Sequence, residues 1–133
     1  MSKFYITTPI YYANANAHIG HAFTSIAADV LARYHRLLGD DTLFLTGMDE
    51  HGTKIVRAAE AAGRELREFT DNIAKKFIHL TRILNLTNDA FIRTTDRQIH
   101  WPGVFKIWET MRASGDLYEG EYKGLYCVGH EAF

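Results

Sequence analysis

The chain has 133 residues, 47% hydrophobic and 13% aromatic, which is enough apolar surface for one globular core and too much for a disordered segment. Its 15 Lys and Arg against 16 Asp and Glu leave a net charge of −1, so bulk charge gives no sign of a polyanion partner. A single cysteine, Cys127, excludes an internal disulfide framework, no stretch nears the roughly 20 apolar residues of a membrane span, and Met1-Ser2-Lys3 leads straight into apolar residues with no signal peptide; the expectation is a soluble, cytoplasmic chain.

Phe4 to Thr7 reads as a short buried strand stopped by Pro9, followed by a small-residue loop over Ala13-Asn14-Ala15-Asn16-Ala17. From about Gly20 the apolar positions Phe23, Ile26, Ala27, Val30, Leu31, Tyr34 and Leu38 recur at helical spacing, with Gly39 as the stop. Thr42 to Thr46 is a continuous apolar run suited to a strand covered on both faces, which completes a βαβ crossover and predicts a parallel sheet. Ligands of such sheets sit outside the carboxyl ends of the strands, where the Asn-rich loop and Gly47-Met48-Asp49-Glu50-His51-Gly52 both fall. A second helix is expected over Thr53 to Ala62, and a third carries Leu66, Phe69, Ile73, Phe77, Leu80 and Leu84 on one core stripe. Phe91-Ile92 suggests another strand, and Asp96 to Ala113 a helix split by Pro102-Gly103. Beyond Gly115 the texture becomes antiparallel, alternating through Tyr118, Tyr122, Leu125, Tyr126 and Val128 with glycines at 120 and 124; Glu131-Ala132-Phe133 carry no stop signal, so the chain reads as a truncation.

The sharpest local feature is His18-Ile19-Gly20-His21, which follows a strand and a loop and opens a helix. A helix start offers unpaired N–H groups and a positive dipole end to an anion, Gly20 leaves room for a ring or phosphate, and two imidazoles add donors. Donors fixed beforehand suit charge that grows on a phosphoryl group. Helix capping explains the same histidines, and a metal could gather His18, His21 and His51, although structural zinc sites usually show tighter pairs and a fourth ligand. Asp49, at a strand's carboxyl end, can pair with a substrate ammonium group; it or Glu50 can equally cap the helix near Thr53. Ile10-Tyr11-Tyr12 can wall an apolar pocket or pack in the core.

Taken together, Thr7-Thr8-Pro9-Ile10-Tyr11-Tyr12-Ala13-Asn14, His18-Ile19-Gly20-His21 and Gly47-Met48-Asp49-Glu50-His51-Gly52-Thr53-Lys54-Ile55 closely resemble the class I methionyl-tRNA synthetases. The resemblance implies an α/β fold: the first half of a Rossmann-type parallel-sheet catalytic domain over residues 1–114, then the start of an antiparallel inserted connective-peptide domain over 115–133. It implies ATP-dependent activation of L-methionine to methionyl-adenylate and transfer to tRNA(Met), with Mg2+ accompanying ATP. His18 and His21 would contact the phosphates, Gly20 would let adenine lie close to the helix start, and Asn14 would add an ATP contact. Asp49 would hold the methionine ammonium group, Ile10 and Tyr12 would frame the side chain, and His51 and Lys54 are lesser candidates. Met48 stands where the family usually has Thr, and Pro102-Gly103 interrupts a helix the family tends to keep continuous. Cys127-Val128-Gly129-His130 lies where many relatives begin a zinc knuckle, so zinc is an expectation for a longer parent only. The family's remaining strands, Lys-Met-Ser-Lys-Ser loop and anticodon-binding domain are absent, so the 133 residues alone should be weak or inactive. The competing readings are another nucleotidyltransferase of the same superfamily, acting without tRNA, and a non-enzymatic binding module.

Overall fold

The computed structural model describes residues 2–127, 129, 130 and 132; the expectations that rest on Val128, Glu131 and Phe133 lie outside them. Two compact units divide the chain, Met1–Pro102 and Gly103–Phe133. The first carries strands β1 (Lys3–Thr7), β2 (Tyr11–Tyr12), β3 (Asp41–Asp49) and β4 (Ala90–Arg93), with helices α1 (Ile19–Leu37), α2 (Thr53–Ala61) and α3 (Leu66–Ile83). All strand pairs are parallel, and every other strand pairs with β3. Leu45 has Thr7 on one side and Ala90 on the other, and Met48 has Tyr11 and Arg93, so β1 and β2 lie along one edge of β3 and β4 along the opposite edge.

The interruption between β1 and β2 is a one-residue bulge. Thr7 stands opposite Leu45 and Tyr11 opposite Met48, so Thr8, Pro9 and Ile10 span what Thr46 and Gly47 span on β3. Proline cannot donate to a ladder and is tolerated at such an edge. The short β2 was not foreseen, because a two-residue strand after a proline leaves no periodic signal. Strand β3 also runs three residues past the expected Thr46, through Gly47, Met48 and Asp49, because β2 and β4 pair with that stretch. At Gly47 a Cβ would stand 2.2 Å from the Ile92 carbonyl oxygen, so only glycine permits this approach to β4.

Side chains alternate along β3, and Phe44 and Met48 share a face. Phe44 packs with Ile6 and with Ala28 and Ala32 of α1; Met48 packs with Tyr11, Ile55 of α2 and Ile73, Ala74 and Phe77 of α3. The helices therefore lie on one face, as right-handed crossovers that step the same way across a sheet require. This corrects the expectation of a strand covered on both faces: Leu43 and Tyr5, on the other side, are 49% and 59% exposed.

Helix α1 forms where expected, ending before Gly39 (φ 83°), but it packs through a different stripe. Its buried residues are Ser25, Ala28, Asp29 and Ala32, while Phe23, Ile26, Val30, Leu31, Tyr34 and Leu38 are exposed. Small side chains let the helix lie close to the sheet, and Asp29 ties it to the loop before β4. The Asp29 carboxylate accepts from the Thr87 N–H and hydroxyl (2.6 Å each) and from Arg33 (2.6 Å). Burial by itself would raise the Asp29 pKa, and these hydrogen bonds outweigh it and hold the carboxyl below its ordinary value. On α3 the expected stripe is buried at Ile73 and Phe77, and Leu66, at the helix start, is exposed.

The expected break at Pro102-Gly103 does not occur. Helix α4 (Trp101–Ser114) starts just before Pro102, so proline occupies the first turn, where its missing N–H has no helical partner. Asp96 turns the chain into it, its Oδ1 accepting from the N–H groups of Gln98 (2.8 Å) and Ile99 (2.9 Å). After Gly115 the expected antiparallel strands are absent among the described residues, apart from one antiparallel bridge between Cys127 and Ala132. Strand formers make a strand only beside a ladder partner, and residues 116–126 have none there. No helix among the described residues is long and apolar enough to cross a membrane.

Gly47→Ala should lose at least about 2 kcal/mol of stability through backbone overlap. Gly103→Ala, in α4 with nothing within 4 Å of its would-be Cβ, should gain about 0.5 to 1 kcal/mol. Urea unfolding midpoints check both, and equal midpoints would contradict the β3–β4 approach.

Candidate functional site

The loop after β2 leads directly into the start of α1, and His18 is that helix's N-cap. Its Nδ1 accepts from the Gly20 N–H at 3.1 Å, while its own backbone N–H donates to Nδ1 of His21, also at 3.1 Å. This is a capping box in which imidazoles replace the usual hydroxyl and carboxylate. With Nδ1 accepting on both rings, the ring proton of each resides on Nε2. The capping reading and the donor reading are therefore compatible: one nitrogen of each ring serves the helix, and the other is a polar donor beside a helix N-terminus.

The rings lie 3.9 Å apart between centroids. His21 is held edge-on by Tyr11 (4.8 Å) and Phe77 (5.1 Å), and Tyr11 is anchored by a 2.9 Å hydrogen bond with Ser25. Desolvation against these rings, and then the neighbouring His18, lower the His21 pKa below its ordinary 6.5. Gly20 also has a role nearer than a ligand, since a Cβ there would meet His18 Cε1 at 2.9 Å and push the ring from its capping position. Asn14 sits exposed in the turn before α1.

The second group gathers at the carboxyl end of β3. The bulge at Pro9 puts Tyr12, not Tyr11, beside Asp49, and the Ala13 N–H closes the pair on the Asp49 carbonyl at 3.0 Å. Tyr11 and Met48 are buried in the core, whereas Tyr12 and Asp49, one position on, are partly buried, with Tyr12 packed against the edge of the same core cluster. Met48, fully buried, thus lies on the side away from Asp49, as its alternation predicts. Ile10 is half exposed in the bulge, and Lys54 is half-buried in the first turn of α2. Neither carboxylate caps α2: its N-cap is Gly52 (φ 117°), with no side-chain bond. Asp49 Oδ1 instead accepts the His51 N–H at 3.0 Å.

Glu50, fully buried, receives Arg93 at 2.7 Å and the Thr95 hydroxyl, and Arg93 reaches on to Asp71 at 2.6 Å. Burial works against the Arg93 charge, and the bonds to Glu50 and Asp71 outweigh it, so its pKa is raised. These groups border a cavity of about 750 Å3, together with Arg97 and Trp101. Sequence reasoning missed this network because the end of β4 and the turn after it supply Arg93, Thr94 and Thr95 from more than forty positions beyond Glu50, with no local motif. The two histidines do not converge with His51 on a metal: no group of three or more potential ligands stands together among the described residues. In the second unit Cys127 Sγ lies 3.2 Å from His130 Nδ1, two donors where a structural zinc site takes four.

The family model for tRNA synthetases class I (M) matches residues 4–133. The chain is 53% identical over 131 residues to a methionine–tRNA ligase of Thermotoga maritima, covering 98% of this chain and 21% of that protein. It is 49% identical over 132 residues to one from Rickettsia felis, covering 99% and 26% respectively. Among solved structures, the Mycobacterium tuberculosis methionyl-tRNA synthetase in complex with methionyl-adenylate superposes with a TM-score of 0.91 at 43% identity, over 97% of this chain and 25% of that one. The chain thus spans 20–26% of the length of the curated relatives it matches.

His21 should titrate with a midpoint below 6.5 when its ring resonances are followed by NMR. An imidazole whose folded pKa is depressed binds fewer protons folded than unfolded, so the stability it contributes is present above pH 6.5 and is lost as pH falls through the folded value. A midpoint above 6.5 would show that the ring is not desolvated by Tyr11 and Phe77.

Proposed function

This chain belongs to the class I (M) tRNA synthetases, and from that premise we propose that it forms the methionine- and ATP-handling part of a methionine–tRNA ligase. In the reaction a methionine carboxylate oxygen attacks the α-phosphorus of ATP, and pyrophosphate leaves with the electron pair of the broken P–O bond. The tRNA(Met) terminal hydroxyl then attacks the adenylate carbonyl, gives up its proton and releases AMP. Residues 1–114 form the first part of the catalytic domain and 115–133 begin an inserted connective-peptide domain. The enzyme works in the cytoplasm.

The observation that carries this reading is the reciprocal histidine cap. Because each Nδ1 is committed to the backbone, both Nε2–H donors are oriented before any ligand arrives. Donors fixed in advance at a helix N-terminus stabilise charge that grows on the phosphoryl oxygens without reorganisation in the transition state. The depressed His21 pKa supports a hydrogen-bonding role for a neutral ring. Adenine lies against the helix start at Gly20, and Asn14 contacts ATP. Mg2+ travels with the ATP phosphates and shields their charge. Cys127 and His130 are the donors this chain would bring to a zinc ion in the full-length enzyme.

Methionine binds at the end of β3. Asp49 pairs with its ammonium group, and Tyr12, its strand partner, frames the side chain with Ile10. An aromatic edge accepts a thioether well. Since the relatives are several times longer, the 133 residues alone should bind both substrates weakly and turn over slowly or not at all.

Amino-acid-dependent ATP–pyrophosphate exchange by the protein at its natural length tests the proposal. Methionine should support exchange while isoleucine, leucine and cysteine do not. His21→Ala should lower kcat by about 100-fold, the cost of a preorganised donor, and Asp49→Ala should chiefly raise KM for methionine. Exchange with none of the four amino acids would return the chain to a nucleotidyltransferase of another substrate.

A further inference from the structure

Thr94 follows β4 and faces the turn that leaves β3. Its Oγ1 accepts the Glu50 N–H at 2.9 Å, lies 3.1 Å from His51 Nδ1 and stands 3.5 Å from Asp49 Oδ1. A hydroxyl has two acceptor lone pairs and one proton. With the Glu50 N–H donating to it and His51 taken as the Nδ1–H tautomer, its own proton is left for Asp49 Oδ1, a long contact at 3.5 Å that a bound ammonium group would draw in. Asp49 Oδ1 also takes the His51 N–H, so among the described residues the hydrogen bonds to this carboxylate fall on Oδ1 and not on Oδ2.

Thr94 itself is held on several sides. Its N–H donates to the Met48 carbonyl at 3.2 Å, its carbonyl accepts Trp101 Nε1–H at 3.1 Å, and its neighbours Arg93 and Thr95 both grip the buried Glu50. The side chain on which residues 49–51 converge is therefore fixed by the sheet and by a buried ion pair.

We infer that Thr94 is a positioning residue of the amino-acid site: its hydroxyl holds the Asp49–His51 turn so that the Asp49 carboxylate meets the substrate ammonium group. This rests on the proposed role of Asp49. The effect would reach methionine only through its charged amine, and that separates it from a general packing role.

The test measures KM for methionine and ATP in pyrophosphate exchange by the full-length protein, and Ki for γ-methylthiobutyrate, which is methionine without the amine. Thr94→Val should raise KM for methionine about tenfold, the worth of one hydrogen bond to a charged group, and leave KM for ATP and Ki for γ-methylthiobutyrate within about twofold. Thr94→Ser should behave as the parent. Where Thr94→Val does not fold, Thr94→Cys, with a weak thiol donor, takes its place. Equal loss for methionine and the deaminated analogue would overturn the inference as a packing effect. An unchanged methionine KM would also overturn it, with the Asp49 reading intact, provided that Asp49→Asn raises that KM. No effect in Asp49→Asn would remove both.

Discussion

The parallel ladder on both sides of β3 is the constraint on which the rest depends. Its nine residues are the partner of every other strand, and its alternation sends Phe44 and Met48 into the core and Asp49 to the opposite face. The one-residue bulge around Pro9 sets the edge register so that Tyr11 stands opposite Met48 in the core and Tyr12 stands opposite Asp49 at the strand end. Removing that residue would exchange the two tyrosines, because a slip of one position reverses every side chain beyond it. The close approach at Gly47 does the corresponding work on the other edge, bringing Arg93 and Thr94 level with the end of β3.

From that frame the two halves of the site follow by short paths. Tyr11 is a shared wall: its ring braces His21, its hydroxyl bonds Ser25 of α1, and the next residue in the chain pairs with Asp49. The histidine pair is thereby linked to the strand end through two consecutive tyrosines. Capping does not compete with the proposed donor role of the histidines. The bonds that satisfy the first turn of α1 are the bonds that orient the rings, so the polar groups a helix start must pair anyway become a rigid donor array.

Elements with strong local signals stand where hydropathy placed them: β1, β3, β4 and the helices α1, α2 and α3. The departures share one cause, which is that burial depends on what lies across from a residue. The large apolar side chains of α1 have helical spacing, yet the sheet receives its small residues, since Asp29 must reach the Thr87 backbone. Pro102 has the chemistry of a helix breaker and sits harmlessly in a first turn. Residues 116–126 have strand propensity and, among the described residues, no ladder beside them.

By itself the sequence determined the βαβ order, the parallel sheet, the histidine quartet at a helix start and an acidic residue at a strand's carboxyl end, because each depends on neighbours a few positions away. The tertiary structure alone decided which tyrosine pairs with Asp49, which nitrogen of each histidine remains a donor, and that Glu50 is a buried partner of Arg93 while Asp49 Oδ1 accepts the His51 N–H. These depend on register and on strands more than forty positions apart, and a parallel sheet brings such residues together without leaving a local pattern in the chain.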